Sequence, residues 1–333
     1  PNAVGMTGLL GWGAAVHAVL DCDVLVMWGT DFPYRDFLPR KVRVIQVGTD
    51  AAVLGRRVPL VQAVQADAGV VARHLLQEVP PNQSDDFLRT MLNHHAREVA
   101  SISQCLRVVD EDAPLRPELL TRLVSDHAEP DAVFTVDTGT PDIWCARYLQ
   151  ANGTRRILGS FNHGSMGCAL AMAIGAKAVC RTRQVIALCG DGGLSMLAGD
   201  LLSLLQEGLA VKVLVYNNSE LDYAAIEQLR AGIPSPVGTA LRTTSFAAVA
   251  RAMGMRAWRV SRVEEAIPAI KAWLAAEGPA LLDAAVDRHA LPLPPGLTFM
   301  EGLGYCKSLG EQSAHASLDT VKRLLFGNRR FFC

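Results

Sequence analysis

The chain has 333 residues, half of them hydrophobic, and its 32 Lys and Arg residues nearly balance 33 Asp and Glu residues. It has no block of five or six like charges, which excludes a charged disordered tail and a nucleic-acid-binding arm. We therefore expect small molecules and other protein surfaces as partners. The eight cysteines form no C-x-x-C pair, which argues against a zinc site and a disulfide scaffold and predicts reduced, cytoplasmic thiols.

The sequence begins at Pro1 and reads at once as the middle of a domain, so we expect a fragment of a longer protein. It shows no signal peptide and no apolar run long enough to span a bilayer. Short apolar runs typical of buried strands recur along the chain, with helix-like stretches between most of them. These runs are Val24–Trp28, 42–47, 132–136, 184–189, 211–216, 257–260 and 280–286.

This alternation predicts an α/β fold with two doubly wound parallel-sheet domains and a C-terminal tail. Turn-forming residues cluster near residues 80–84 and again near 110–117. We therefore expect four parts. They are a first domain at 1–80, a linker with a helix at 81–114, a second domain at 115–290 and a tail at 291–333.

The most informative segment is Gly190-Asp191-Gly192-Gly193, which lies between the predicted strand 184–189 and a predicted helix at 194–206. Twenty-four residues separate Gly192 from Asn217, and Asn217-Asn218 follows the next predicted strand. Strand, helix and strand make one βαβ unit. Both segments should therefore leave the same edge of the sheet, where such sheets bind ligands.

This arrangement suits a diphosphate held by Mg²⁺. Glycines let backbone N–H groups approach phosphate oxygens closely, and a helix N-terminus favours negative charge. Asp191 and Asn218 offer the hard oxygen ligands that Mg²⁺ prefers, and a backbone carbonyl can complete the set. A Gly-Asp-Gly alone is a common turn, and the paired Asn is what favours the binding site over the turn.

A Gly-Asp-Gly followed some two dozen residues later by a double Asn resembles the signature of thiamine-diphosphate enzymes. Two further segments resemble loops of the pyruvate oxidase family of these enzymes, in which the quinone-dependent pyruvate dehydrogenases are most similar to this chain. The two segments are Asp137-Thr138-Gly139-Thr140-Pro141 and Ser160-Phe161-Asn162-His163-Gly164-Ser165-Met166-Gly167. The resemblance implies thiamine diphosphate and Mg²⁺ as cofactors.

The resemblance also implies roles for single residues. The Gly164 carbonyl should accept the aminopyrimidine amino group and Met166 should hold the cofactor bent, although Met166 also suits ordinary core packing. His163 should lie near the substrate carboxylate or cap the following helix. The implied metal ligands are Asp191, Asn218 and Glu220. The implied thiamine-diphosphate contacts are Thr138, Gly139, Thr140, Gly164, Ser165, Met166, Asp191, Gly192, Gly193, Asn218, Ser219, Glu220, Leu221, Asp222, Tyr223 and Ala224.

The first eighty residues resemble the FAD-binding middle domain of the same enzymes. The family places an acidic residue for the adenosine ribose after the strand 42–47, where this chain has Gly48 and, two residues later, Asp50. Either Asp50 takes that role or FAD binding is weakened; a domain retained only for packing is the alternative. The implied FAD contacts are Thr7, Gly8, Leu9, Leu10, Thr30, Asp31, Phe32, Pro33 and Tyr34.

The activity implied by the resemblance is oxidative decarboxylation of pyruvate to acetate and CO2, with electrons passing through FAD to a quinone. The alternatives are an acetolactate synthase-like enzyme with structural FAD, and a non-catalytic remnant that binds only nucleotide or a partner subunit. The family's catalytic Glu lies in an upstream domain, so this chain alone should be inactive and the active form a homo-oligomer, a tetramer in relatives. Asp222 and Tyr223 stand where the family has Gly and Phe.

Residues 317–333 predict a short basic amphipathic helix. Ser317 is a suitable N-cap, and apolar residues at helical spacing are joined by basic and aromatic ones. These are Leu318, Val321, Leu324, Leu325, Lys322, Arg323, Arg329, Arg330, Phe326, Phe331 and Phe332. Such a helix binds an anionic membrane surface or packs on the oligomer. The resemblance implies a cytoplasmic protein that is peripheral at the inner face of the cell membrane.

Overall fold

The computed structural model describes residues 2–81, 84–105, 114–233 and 235–290. These described residues divide into two compact units, one up to residue 102 and one from residue 103 to residue 290. The predicted amphipathic helix at 317–333 lies outside the described residues. Within the described ranges, every helix is too short or too polar to cross a membrane.

The first unit contains a small parallel sheet. Its elements are β1 (Gly5–Met6), β2 (Trp12–Gly13), α1 (Ala15–Asp21), β3 (Val24–Trp28), β4 (Arg43–Gly48), β5 (Gln62–Gln65), α2 (Ala68–Glu78) and α3 (Asp86–Cys105), with a 3-10 turn at Arg35–Phe37. β1 pairs with β2 in an antiparallel ribbon, and the sheet has the order β3-β4-β5. Met27, Leu38 and Val44 form its buried core. The helix predicted between the domains is α3, most of which belongs to this unit.

The second unit is built on a six-stranded sheet in which every neighbouring pair is parallel. Its elements are α4 (Pro117–His127), β6 (Val133–Val136), α5 (Thr140–Tyr148), β7 (Arg156–Gly159), α6 (Cys168–Val179), β8 (Val185–Gly190), α7 (Asp191–Leu197), α8 (Leu201–Gln206), β9 (Val211–Asn217), α9 (Asp222–Arg230), α10 (Phe246–Ala252), β10 (Arg256–Val260), α11 (Val263–Ala275) and β11 (Ala280–Ala285). The strand order is β10-β11-β9-β8-β6-β7.

Helices cover both faces of this sheet. Alternate residues of β8, namely Val185, Ala187 and Cys189, pack with Ala169 and Ala173 of α6 in one buried cluster. Helices α4, α5 and α11 form the other helical layer, in which α4 contacts both α5 and α11. Strands buried on both faces appear in the sequence as continuous apolar runs, which is why β8 and β9 were predictable. The α/β fold with parallel sheets is confirmed.

Two details differ from the sequence prediction. The prediction of one continuous helix at 194–206 is wrong, because the helix begins earlier and is interrupted. Helix α7 begins at Asp191, and a 3-10 turn at Ala198–Asp200 separates it from α8. Strands β1, β2, β5 and β7 were not predicted, because β1 and β2 have only two residues each and β5 and β7 have four, exposed at several positions. Short, partly exposed strands carry little hydrophobic signal.

Candidate active site

A cavity of about 240 Å³ opens at the carboxyl edge of the six-stranded sheet. Most of its wall residues lie at or just after the carboxyl ends of five strands, β6, β7, β8, β9 and β11, which is where open parallel sheets bind ligands. Two residues implied to contact the cofactor, Ser165 and Ser219, do not line this cavity. The implied residues that do line it are Thr138, Gly139, Thr140, Gly164, Met166, Asp191, Gly192, Gly193, Asn218, Glu220, Leu221, Asp222, Tyr223 and Ala224.

Sequence reasoning missed part of the cavity wall. The missed residues are Pro117, Trp144, Tyr216, Val286 and Asp287, while Pro141 and Gly190 lie in the segments singled out above but had no implied contact. Val286 and Asp287 had a usable signal, because they stand at the carboxyl end of the predicted strand 280–286. Trp144 and Tyr216 are buried, at 1% and 3% exposure, and nothing in their sequence context separates a cavity wall from ordinary core.

Asp191 is the first residue of α7 and follows β8 directly. Its Oδ1 accepts a hydrogen bond from Gly192 N at 2.8 Å, and its Oδ2 accepts one from Ser219 N at 2.6 Å. Burial raises the pKa of Asp191 to about 6, against the opposing effect of these backbone N–H groups. The carboxylate therefore joins the end of β8 to the turn after β9.

The turn from Asn218 to Leu221 is held by several hydrogen bonds. Asn218 Oδ1 accepts from Glu220 N at 3.1 Å. The two carboxylate oxygens of Glu220 accept from Thr239 Oγ1 and from Arg288 Nη2, each at 3.2 Å. The predicted metal ligands Asp191, Asn218 and Glu220 thus meet at the ends of neighbouring strands. The described residues contain no cluster of three or more His, Cys, Asp or Glu side chains that could hold a metal, so a cation here needs the Asn and backbone oxygens.

The loop that contains Gly164 and Met166 forms another wall. Gly164 has a φ of 66°, which favours glycine, and its N–H donates to the Ser160 carbonyl at 2.7 Å. Met166 is 38% exposed and therefore does not serve core packing. Its Cε lies 3.4 Å from the position that a Cβ on Gly192 would take, so this loop packs against the first turn of α7.

His163 does not cap the helix after this loop. The N-cap residue of α6 is Gly167, and no side chain caps the helix. The capping alternative for His163 is therefore wrong. His163 is exposed and is not part of the cavity wall.

Two buried carboxyl groups lie in the segment that follows β6. Asp137 Oδ1 accepts from Ala169 N at 2.8 Å, which fixes the start of α6 against the end of β6. Burial raises the pKa of Asp137 to about 6. Burial, together with the nearby charge of Asp137, raises the pKa of Asp142 to about 8. Between them, Thr138 Oγ1 is buried without a hydrogen-bond partner, which leaves this wall residue a polar group for a ligand.

The two segments implied to contact FAD come together in the first unit. A Cβ on Gly8 would lie 3.3 Å from the Phe32 ring and 3.7 Å from the Tyr34 ring. Asp31 pairs with Arg57, Nη2 to Oδ2, at 2.9 Å. The Oδ1 of Asp50 accepts from Ala52 N at 2.9 Å, so this carboxylate stabilises the turn after β4.

Comparison with known proteins matches both units to domains of one family. Residues 1–75 match the central domain of thiamine pyrophosphate enzymes, and residues 137–284 match their C-terminal, thiamine pyrophosphate-binding domain. The chain belongs to this family. The second match contains the loops after β6, β8 and β9, which form much of the cavity wall.

Relatives within the family differ in their named activities. One relative is YdaP of Bacillus subtilis, which is named a putative thiamine pyrophosphate-containing protein. It is 32% identical over 307 residues, 92% of this chain and 53% of YdaP. Pyruvate oxidase of Lactiplantibacillus plantarum is 28% identical over 305 residues, 88% of this chain and 49% of the oxidase. The acetolactate synthase isozyme 2 large subunit of Escherichia coli is 28% identical over 313 residues, 91% of this chain and 55% of the subunit. The chain thus spans about half the length of these relatives.

Proposed function

We propose that the cavity binds thiamine diphosphate through Mg²⁺, and that the intact protein decarboxylates pyruvate oxidatively to acetate and CO2. Electrons would pass through FAD to a quinone. The observation that carries the binding proposal is the junction of two strand ends at the cavity, where Ser219 N donates to Asp191 Oδ2 at 2.6 Å. This bond places the only carboxylate of the signature beside the turn that bears Asn218 and Glu220.

The charges of the cavity favour a metal-held diphosphate over a bare one. Asp191, Glu220 and Asp287 line it, and no Lys or Arg belongs to the described wall. A diphosphate alone would meet like charge in a partly desolvated site, which is unfavourable. Mg²⁺ turns this repulsion into attraction, because it binds carboxylate, amide and carbonyl oxygens together with phosphates. Asp191, Asn218 and the Glu220 carbonyl would hold the cation, and Thr138 Oγ1 would reach a phosphate.

Bound thiamine diphosphate supplies a carbon nucleophile for the keto group of a 2-oxo acid. The chain's own contribution is to hold and orient it. The Gly164 carbonyl would accept a hydrogen bond from the aminopyrimidine amino group, and the exposed Met166 would support the bent conformation of the cofactor. Both residues would act by bringing reacting groups close together. The catalytic Glu would come from outside this chain, so we propose that the active form is a homo-oligomer, namely a tetramer.

The binding proposal is tested by calorimetric titration of the intact protein with thiamine diphosphate, with and without Mg²⁺. We expect binding that depends on Mg²⁺. Absence of metal-dependent binding would identify a remnant that has lost the cofactor and would refute the proposal. Flavin retention after purification tests FAD separately.

Acetolactate synthesis is the second candidate activity, because relatives named acetolactate synthase match most of this chain. The two activities differ in product and in electron flow. Incubation of the intact protein with pyruvate, thiamine diphosphate, Mg²⁺, FAD and a soluble quinone should yield acetate and reduced quinone in equal amounts. Acetolactate with no quinone reduction would support the second candidate and refute the first.

We further propose that the segment 317–333 brings the protein to an anionic membrane surface on the cytoplasmic side, where a quinone is available. Support for this proposal comes from the basic and aromatic composition of the segment.

A further inference from the structure

Asn217, the last residue of β9, stands beside Asn218 but has no assigned role at the site. Its Nδ2 donates to Asp283 Oδ1 and to the Thr244 carbonyl, each at 2.8 Å. Asp283 lies in β11, the neighbour of β9, and is fully buried. These bonds tie the strand end that precedes the candidate metal ligands to an adjacent strand and to a distant loop.

Asp283 has further hydrogen bonds through its second oxygen. Its Oδ2 accepts from Arg259 Nη1 at 2.7 Å and from Ala247 N, in the first turn of α10, at 3.2 Å. A buried carboxylate that accepts hydrogen bonds from an amide, a backbone N–H and a guanidinium is well satisfied. Asp283 therefore fixes the separation between Asn217 and the start of α10.

The loop that leads into α10 holds the metal-ligand turn from its other side. Leu221 N donates to the Thr239 carbonyl at 2.7 Å, and Leu241 N donates to the Ser219 carbonyl at 2.9 Å. The end of this loop, Thr244, is bonded to Asn217. The turn is thus attached at its beginning through Asn217 and along its length through a loop that Asn217 and Asp283 also anchor.

We propose that Asp283 and Asn217 form a positioning pair that sets the Mg²⁺ affinity of the site without contacting the cation. The inference rests on the proposed function, since it takes Asp191, Asn218 and Glu220 as the residues that hold Mg²⁺. Groups that orient metal ligands from outside the coordination sphere commonly change metal affinity about 10–100-fold when they are removed. Loss of either member should let the turn after β9 sample other arrangements.

The test compares Asp283→Asn, Asn217→Ala and the double variant in the intact protein. Mg²⁺ is titrated calorimetrically at saturating thiamine diphosphate. Each single variant should weaken Mg²⁺ binding about 10–100-fold. The double variant should be no weaker than the weaker of the two single variants, because residues that act as one unit are not additive. Fully additive losses, or unchanged affinity in Asn217→Ala, would overturn the pair.

Lys212→Met is the matched control. Lys212 is a buried polar residue at the opposite end of β9, and its Nζ donates to the Gly278 carbonyl at 2.8 Å. We expect this variant to lose stability while it keeps the Mg²⁺ affinity of the unaltered protein. An equal loss of Mg²⁺ affinity in Lys212→Met would show that general destabilisation is responsible.

Amide hydrogen exchange of the cofactor-free protein separates failure of this inference from failure of the proposed function. In Asn217→Ala, the amides of Ser219, Leu221 and Leu241 should exchange faster, while those of β8 keep their protection. This measurement requires no cofactor. Asn217→Ala tests the positioning pair even if Asp283→Asn does not fold. Unchanged exchange at all three amides would refute the positioning pair. Absence of Mg²⁺-dependent binding in the unaltered protein would refute only the proposed function.

Discussion

Gly193 is the residue at which the structure predicts the sharpest steric cost. A Cβ there would lie 2.9 Å from Asp137 Cγ and 3.2 Å from the Gly167 backbone N, and it would overlap Asp137 Oδ2. Asp137 cannot move aside freely, because it is 1% exposed and its Oδ1 accepts from Ala169 N. Gly193→Ala therefore combines overpacking, about 1–3 kcal/mol, with strain on a buried hydrogen bond, about 1–3 kcal/mol. We expect a loss of about 3 kcal/mol in the free energy of unfolding.

Two nearby glycines provide graded controls. The atoms nearest to a Cβ on Gly192 would be Leu221 Cδ2, at 2.5 Å, and methyl groups of Met166 and Leu241. Such side-chain ends can turn away, so Gly192→Ala should change stability by less than about 1 kcal/mol, since the better helix propensity of Ala offsets the crowding. A Cβ on Gly199 meets nothing within 4 Å, and Gly199→Ala should stabilise by about 0.4–1 kcal/mol.

Urea unfolding of the three variants, followed by circular dichroism, measures this order directly. We expect the lowest midpoint for Gly193→Ala, an intermediate one for Gly192→Ala and the highest for Gly199→Ala. Equal midpoints for Gly193→Ala and Gly199→Ala would refute the close contact between β6 and α7 on which the reasoning depends.

Further predictions concern binding, pH, assembly and the tail. Asp191→Ala should weaken Mg²⁺-dependent thiamine-diphosphate binding by about a hundredfold or more in calorimetry, since changes outside the coordination sphere already cost about 10–100-fold; Asp200→Ala, off the cavity wall, should not. Because burial raises the folded-state pKa of Asp142 from 3.8 to about 8, the folded state retains this proton, and stability falls as pH rises from about 4 to about 8. Near pH 9, Asp142→Asn should therefore have a higher urea midpoint than the unaltered protein, with a free energy of unfolding larger by at most about 6 kcal/mol, and near pH 4 the two should differ little. Parallel dependence of the two stabilities on pH would contradict this. Sedimentation of the intact protein should show a homo-oligomer, and a stable monomer at micromolar concentration would count against it. Deletion of residues 317–333 should abolish salt-sensitive binding to anionic vesicles, and equal binding of truncated and intact protein would make the tail structural.

Much of the second unit was predictable because its strands are long and buried on both faces. The predicted runs at 184–189 and 211–216 differ from β8 and β9 by one residue at their ends. The meeting of Asp191 with the double-Asn segment followed from topology alone, since parallel neighbours end at one edge.

The rest of the site depends on contacts that sequence spacing does not encode. Trp144 and Tyr216 reach the cavity from a helix and a strand whose other residues serve the core. The early start of α7 also escaped prediction, because two glycines normally argue against a helix. At Gly193 the structure requires glycine, because a Cβ there would collide with the buried Asp137 carboxylate.

Ser219 shows where local preference yields to the site. Its φ of 59° lies in the left-handed region, which is unfavourable for residues other than glycine and persists only when the surroundings fix it. Three hydrogen bonds do so: its N–H donates to Asp191 Oδ2, its carbonyl accepts from Leu241 N, and its Oγ lies 3.3 Å from Thr243 Oγ1. The φ angle sets the direction of the Ser219 carbonyl relative to its N–H. With the N–H held on Asp191, an extended φ would turn the carbonyl away from Leu241 N, and an unmade backbone hydrogen bond in this partly buried turn is the more costly outcome. The unfavourable backbone at Ser219 is therefore the consequence of bonding the turn that carries Asn218 and Glu220 to Asp191 and to Leu241 at the same time.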